Sequence, residues 1–178
     1  NNQRILRVLK NRFGSTEEIG LFEFGESGLS SLSMGFSVSK TNTYGKILTS
    51  ILDGSRLMIV EVQSLVIENK SSIGKIYSNG VEQTRISMIL AILKKYLSIN
   101  LDSFDIYINV ANGIKLAQRQ TDLGLLASIV SSYKCKMVSN DKVFVGELGL
   151  GGDIMPLKRF GKQLYELERL SFSEIVTG

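Results

Sequence analysis

Two β-rich runs that meet at Asp53-Gly54 constrain this chain more than any other stretch. Lys46 to Leu52 and Arg56 to Ile67 flank the pair, and Asp-Gly supplies the positive backbone angles of a tight hairpin turn. The second run, Leu57-Met-Ile-Val-Glu-Val-Gln-Ser-Leu-Val-Ile67, is long and nearly continuous, as expected of a central strand. Such a hairpin needs covering elements, and the sequence supplies them on both sides. Ile5 to Leu9 is short, apolar and β-capable, and Ile19 to Phe24 alternates before the turn cluster Gly25-Glu-Ser-Gly28. The polar stretch Ser33 to Gly45 reads as a surface loop.

Downstream the pattern changes period. Val81 to Leu97 predicts a helix, because Ile86, Ile89, Leu90, Leu93 and Leu97 form one apolar stripe. Phe104 to Val110 predicts a strand, and Thr121 to Tyr133 a second helix with Leu123, Leu126, Ala127 and Val130 inward. Val143 to Leu150 predicts a strand whose Gly149-Leu-Gly-Gly-Asp153 tail is a turn towards Ile154. A third helix is expected over Leu157 to Arg169, and a last strand from Phe172 to Val176. The 178 residues, 43% of them hydrophobic and 21% charged, suffice for one such domain. The expectation is therefore a single α+β domain, a mixed sheet covered by helices.

Several chemistries are excluded by composition. The chain has no histidine, which removes Ser-His-Asp and Cys-His catalysis and every histidine metal site. One cysteine, Cys135, allows neither an internal disulfide nor a cysteine zinc site, and fits a reducing cytoplasm. No apolar stretch is long enough to span a bilayer, and Asn1-Asn-Gln-Arg4 lacks the apolar core of a signal peptide, so no membrane partner is expected. Gly45-Lys46, Gly74-Lys75 and Gly161-Lys162 lack the upstream glycine and the downstream Ser/Thr of a phosphate loop. Gly149-Leu-Gly151 fails the dinucleotide fingerprint, because Ile154 stands where the third glycine belongs.

The net charge of +4 is localised. Arg4, Arg7, Lys10 and Arg12 all precede the first acid, Glu17, and the rest of the chain balances 17 basic against 17 acidic residues. A neutral body with a basic arm points to a local anion contact. Within that arm lies Lys10-Asn-Arg-Phe-Gly14. On an extended chain Lys10 and Arg12 project from one face, while Asn11 and Phe13 project from the other.

This pentapeptide resembles the signature of the bacterial RadA/Sms family of DNA-repair ATPases, and Ser15-Thr-Glu-Glu-Ile-Gly20 is close to its usual continuation. Val60-Glu-Val-Gln-Ser-Leu-Val66, Gly80 with Arg85, Asn109-Val-Ala-Asn-Gly113, Asp122-Leu123 and Val145-Gly-Glu-Leu-Gly149 are also similar to the family; Met34 to Gly45 departs from it. The resemblance implies a junction segment at 1–14, carrying the motif, and a domain at 15–178 that looks like the proteolytic domain of Lon, of the ribosomal S5 domain 2-like fold. The family's phosphate loop, ATP, Mg and N-terminal zinc finger would lie in other parts of the parent protein, with no cofactor in this chain and no enzyme activity of its own. DNA (single-stranded and branched), RecA and a hexameric ring are the implied partners. The implied role is a non-proteolytic scaffold and DNA-binding domain of a motor for branch migration in homologous recombination.

The competing expectation is a Ser-Lys peptidase, which needs no histidine. Alignment onto the Lon pattern puts Asp122 where the serine would stand and Gly161 where the lysine would stand. Neither residue can do the work, so no catalytic residue is expected. Lys10 and Arg12 are expected to reach ATP bound between neighbouring subunits. Lys70 and Lys75, in the polar stretch after the central strand, and Arg85 are expected to meet DNA phosphates. Lys158, Arg159 and Lys162 crowd a helix start, where the dipole disfavours cations unless an anion or acidic partner relieves them.

Overall fold

The computed structural model describes residues 3–7, 10, 12, 19–25, 28–31, 41–53, 56–70, 73–155, 160–170 and 172–178. Strands β1 (Gln3–Arg7), β2 (Ile19–Gly25) and β3 (Gly28–Ser31) form a small antiparallel sheet, with Gly25 paired to Gly28 across the expected turn. The first strand begins two residues earlier than the apolar run suggested. The main sheet is built around β4 (Lys46–Asp53) and the 13-residue β5 (Arg56–Glu68). It continues with β6 (Ile76–Asn79), helix α1 (Gln83–Tyr96), β7 (Phe104–Val110), helix α2 (Asp122–Tyr133) and β8 (Lys142–Phe144). A short ribbon of β9 (Glu147–Leu148) and β10 (Ile154–Met155) precedes α3 (Phe160–Glu168) and β11 (Glu174–Val176).

The six strands stand in the order β11-β8-β4-β5-β7-β6. β5 is antiparallel to both neighbours, whereas β4–β8, β8–β11 and β7–β6 are parallel, so the sheet is mixed and the class is α+β as expected. The register pairs Asp53 with Arg56, which makes Gly54-Ser55 the connection, one residue later than the Asp-Gly reading. Those two residues lie outside the described set.

The long run of β5 is explained by what covers it. Met58, Val60 and Val62 point into a core shared with Ile86, Ile89, Leu93, Leu125 and Ile129 of the two long helices. Leu57 and Ile59 point the other way, into a second cluster with Val143, Val145 and Leu167 of α3. Both faces are buried there, so alternation disappears. Past Val62 the second face is uncovered, and Gln63, Leu65 and Ile67 are exposed while Ser64 stays buried.

The α1 stripe holds at Ile86, Ile89 and Leu93, each worth roughly 1.5–3 kcal/mol of burial. Leu97 leaves it at 52% exposure, because the helix ends at Tyr96 and Leu97 caps it through its backbone N–H; Ile92 is buried instead. In α2 the inward set also differs. Leu126, Ala127 and Val130 are half-buried, whereas Gly124, Leu125, Ser128 and Ser132 are buried. A Cβ on Gly124 would stand 2.9 Å from Thr49 Cβ, and Ser128 Oγ meets Ser64 Oγ at 2.6 Å. Small residues bring this helix close to the sheet, and hydrophobicity alone does not reveal them.

The expected strand over Val143 to Leu150 is interrupted. Gly146 abuts Leu123 and Ile154, and its N–H turns to Gln120 O at 2.7 Å, so β8 and β9 belong to different sheets. Gly149 to Asp153 is the expected turn, closed by Gly149 N to Asp153 O at 2.9 Å. α3 is described from Phe160, since residues 157–159 lie outside the described set.

Gly45, at φ +75°, leads into β4. Its N–H donates to Ser131 Oγ at 3.0 Å, its carbonyl accepts from Ser64 N at 2.8 Å, and a Cβ would lie 1.9 Å from Ser64 O. Gly45→Ala therefore combines backbone strain with a collision against main chain, and urea unfolding should read a loss of at least about 2 kcal/mol.

Candidate functional site

Arg85, in the first turn of α1, makes four side-chain hydrogen bonds within the fold. It is 9% exposed. Its Nε donates to Asp122 Oδ1, its Nη1 to Leu116 O at 2.6 Å, and its Nη2 to Gln118 O and Thr121 Oγ1, both at 2.8 Å. The other carboxylate oxygen of Asp122 accepts from Leu148 N at 3.5 Å. Asp122 is the first residue of α2, where the helix dipole favours an acid. Burial pushes its carboxyl above the usual range, against the opposing pull of Arg85.

The sequence reading places Arg85 against DNA phosphates. In the fold its guanidinium is largely buried and committed to four protein acceptors. The pair also decides what the neighbouring cleft can do. That cleft, about 220 Å³, is lined by Arg85, Asp122, Arg119, Glu147 and apolar groups from α1 and β9–β10. Among the described residues its walls carry no hydroxyl and no thiol, and so no acyl nucleophile. Gly161 lies in the first turn of α3 and offers no side chain to take a proton.

The remaining basic positions separate clearly. Lys10 and Arg12 are exposed. Asn11, Phe13, Lys158 and Arg159 lie outside the described residues, as does the side chain of Lys162. Lys70 is exposed in the bend after β5, and Lys75 is exposed just before β6. The stretch between them is pinned at both ends. Asn69 N donates to Ser103 O and Gly74 N to Asp102 O, each at 2.7 Å. Asp105 Oδ1 accepts from Asn69 Nδ2 at 2.9 Å and from Lys75 N at 2.8 Å.

A second set of side chains was not singled out from the sequence. On the uncovered half of the sheet, the register aligns Tyr77 with Tyr107 and Leu65, and Asn79 with Asn109 and Gln63. The tyrosine rings stack with centroids 4.8 Å apart and planes 7° from parallel. Asn79 Nδ2 donates to Asn109 Oδ1 at 3.0 Å, Asn109 Nδ2 to Gln63 Oε1 at 3.4 Å, and Gln63 Nε2 to Glu61 Oε1 at 2.6 Å. Gln63, Leu65, Tyr77, Asn79, Tyr107 and Asn109 help to wall a cleft of about 730 Å³. The alternation of Phe104 to Val110 carried half of this signal; the other half needed the register with β6.

Among the described residues no group of His, Cys, Asp and Glu could hold a metal ion, and no helix is long and apolar enough to cross a membrane.

The proteins that match this chain along its length act in bacterial DNA repair. It is 41% identical over 176 residues to the DNA repair protein RadA of Helicobacter pylori strain J99, and 36% identical over 177 residues to that of Treponema pallidum. The RadA of Bacillus subtilis strain 168 is 32% identical over 177 residues. Each match covers 97% of this chain and 39% of the relative. The chain is thus homologous to RadA over nearly its whole length and spans about two fifths of the length of those relatives. No family model matches it.

Two expectations follow for the site. Arg85→Met leaves the Asp122 carboxylate buried and unpaired, and should cost about 3–5 kcal/mol by urea unfolding. Asp122→Asn keeps the shape and leaves Arg85 its three other oxygens, so it should cost clearly less; the reverse order would contradict this account. For Asp105, the bonds from Asn69 and Lys75 hold the carboxyl below its ordinary 3.8. A lowered folded value means stability that is present above the unfolded value and lost as pH falls through the folded one. Between pH 6 and pH 3 the melting temperature of wild type should therefore fall more steeply than that of Asp105→Asn, with the difference confined below about pH 4.

Proposed function

We propose that this chain serves as the non-proteolytic scaffold and DNA-binding part of a RadA-like, ATP-driven motor in homologous recombination, branch migration and DNA repair. The observation that carries this reading is the 41% identity to RadA along 97% of the chain. The remaining length of such a protein would hold the ATPase, with ATP and Mg, and the zinc finger. Its assembly would be a hexameric ring in the cytoplasm, with RecA as a partner.

A likeness to the Lon proteolytic domain fits the α+β sheet and the position of Asp122 at the head of α2. A Ser-Lys peptidase is disfavoured, since Asp122 stands in the serine's place and is consumed by Arg85, and Gly161 stands in the lysine's. Exposed Lys10 and Arg12 are suited to reach a nucleotide held by a neighbouring subunit, where cations stabilise developing phosphoryl charge. Lys70 and Lys75, held by the Asp105 anchor, are suited to phosphates, and Lys158, Arg159 and Lys162 are assigned to the same role. Arg85 is removed from that set and becomes the brace behind it.

In the full-length protein, Lys75→Glu should weaken duplex binding and lower the slope of log affinity against log salt by about 1. Lys10→Ala should abolish DNA-stimulated ATP hydrolysis without changing the melting temperature. Normal hydrolysis in the second variant, with unchanged affinity and slope in the first, would remove the proposed roles of both residues.

A further inference from the structure

The uncovered half of the main sheet carries two parallel rows, one aromatic and one of amides, at its β6 edge. Tyr77 is 46% and Tyr107 39% exposed. Tyr107 is flanked by Leu65 on one side and Tyr77 on the other, but β6 is the edge strand, and among the described residues no strand lies beyond Tyr77. The stacked pair is a column with an open end.

The amide row beside it has a fixed direction. Glu61 is buried with Lys46, whose Nζ lies 3.5 Å from Glu61 Oε2. A carboxylate only accepts, so Gln63 must turn its NH₂ towards Glu61 and its Oε1 towards Asn109. Asn109 must then donate to Gln63 and present Oδ1 to Asn79, which donates in turn. The chain of donors ends at Asn79, leaving its Oδ1 and one N–H directed to no group among the described residues. A free amide acceptor and donor side by side are what a base edge requires.

Charge at this end of the face is positive on balance. Lys75 lies two residues before Tyr77, just ahead of β6, and Lys70 is in the bend after β5. Among the described residues of this face they outnumber the carboxylate at that end, Asp105, which already accepts two hydrogen bonds, while strand alternation puts Glu68 on the opposite face. Flat rings, an open amide edge and flanking lysines complement bases, base edges and phosphates respectively. A second copy of the chain would use the rings and Leu65, but would gain nothing from the open amide and would bring lysine against lysine.

We infer that this face binds single-stranded nucleic acid, with a base stacked on the open side of Tyr77 and the Asn79 amide at its edge. The inference rests on the reading that the chain contacts DNA, and assigns a site within it. The test is fluorescence anisotropy of the full-length protein with a labelled 20-nucleotide oligo(dT) and with a duplex of equal length. Tyr77→Ala should lose roughly tenfold or more in oligo(dT) affinity, with the salt slope preserved because stacking carries no charge. Tyr77→Phe, which keeps the ring, should restore most of that affinity, and duplex binding should change little in either variant. Wild-type oligo(dT) affinity in Tyr77→Ala overturns the inference. So does a change in light-scattering mass in Tyr77→Ala with unaltered oligo(dT) affinity, which makes the face a contact between copies. If Tyr77→Phe is as weak as Tyr77→Ala, stacking is not the interaction and the inference also falls. If wild type binds neither probe, the DNA-binding reading itself fails. If wild type binds both and only the tyrosine arm is silent, the failure is confined to this site.

Discussion

One guanidinium holds the domain's connections in register. Arg85 joins α1 to the first residue of α2 and to the carbonyls of Leu116 and Gln118, while Asp122 reaches onward to the β9 backbone at Leu148. Apolar contacts between the helices are non-directional and would tolerate a slide along the helix axes. A charged pair under low dielectric tolerates none, because each unmet proton or lone pair is expensive there. The segment between Leu116 and Thr121, which ends in a 3-10 turn, is tied by these bonds to α1 and by Gln118 to the Leu52 backbone. The same commitment takes Asp122 out of chemistry, so a position that could open onto a cleft is spent on architecture.

The elements easiest to read were those whose pattern had a single cause. β7 falls on Phe104 to Val110 as expected, since one of its faces is buried and the other is not. The β4–β5 hairpin was legible from its length and flanking turn residues, and only the position of the turn shifted. Harder cases had two causes at work. α2 is pressed against the sheet through glycine and serines, and its larger apolar residues lie to the sides, so a search for a greasy stripe selects the wrong face. β6 reads Ile-Tyr-Ser-Asn and is too short and polar to announce a strand.

The candidate site divides in the same way. Charge is visible in a sequence, and Lys70 and Lys75 were found as charges in a polar stretch. Burial of a cation is not visible, because arginines are mostly exposed and nothing local distinguishes Arg85. Its partner lies 37 residues away and meets it only once α1 and α2 pack. The tyrosine column and the amide row depend on register between β6 and β7, which no single segment encodes. Sequence therefore located the electrostatics, and topology supplied the flat, directional chemistry beside it.

The edges of the main sheet carry a consequence for assembly. β5 outruns β4, and on that side its backbone is met from within: Ser64 N donates to Gly45 O at 2.8 Å, and Val66 N to Ser132 Oγ at 2.9 Å. At the far edge Gln83 Nε2 donates to Ile76 O at 3.1 Å, closing a carbonyl of β6 that would otherwise point outward. Ladder groups met from within the chain are not offered to a stranger's strand, whose recruitment is the usual route to swapped or fibrous aggregates. Copies brought close together are thus steered towards contacts between side chains, which can be made and released without unzipping a sheet.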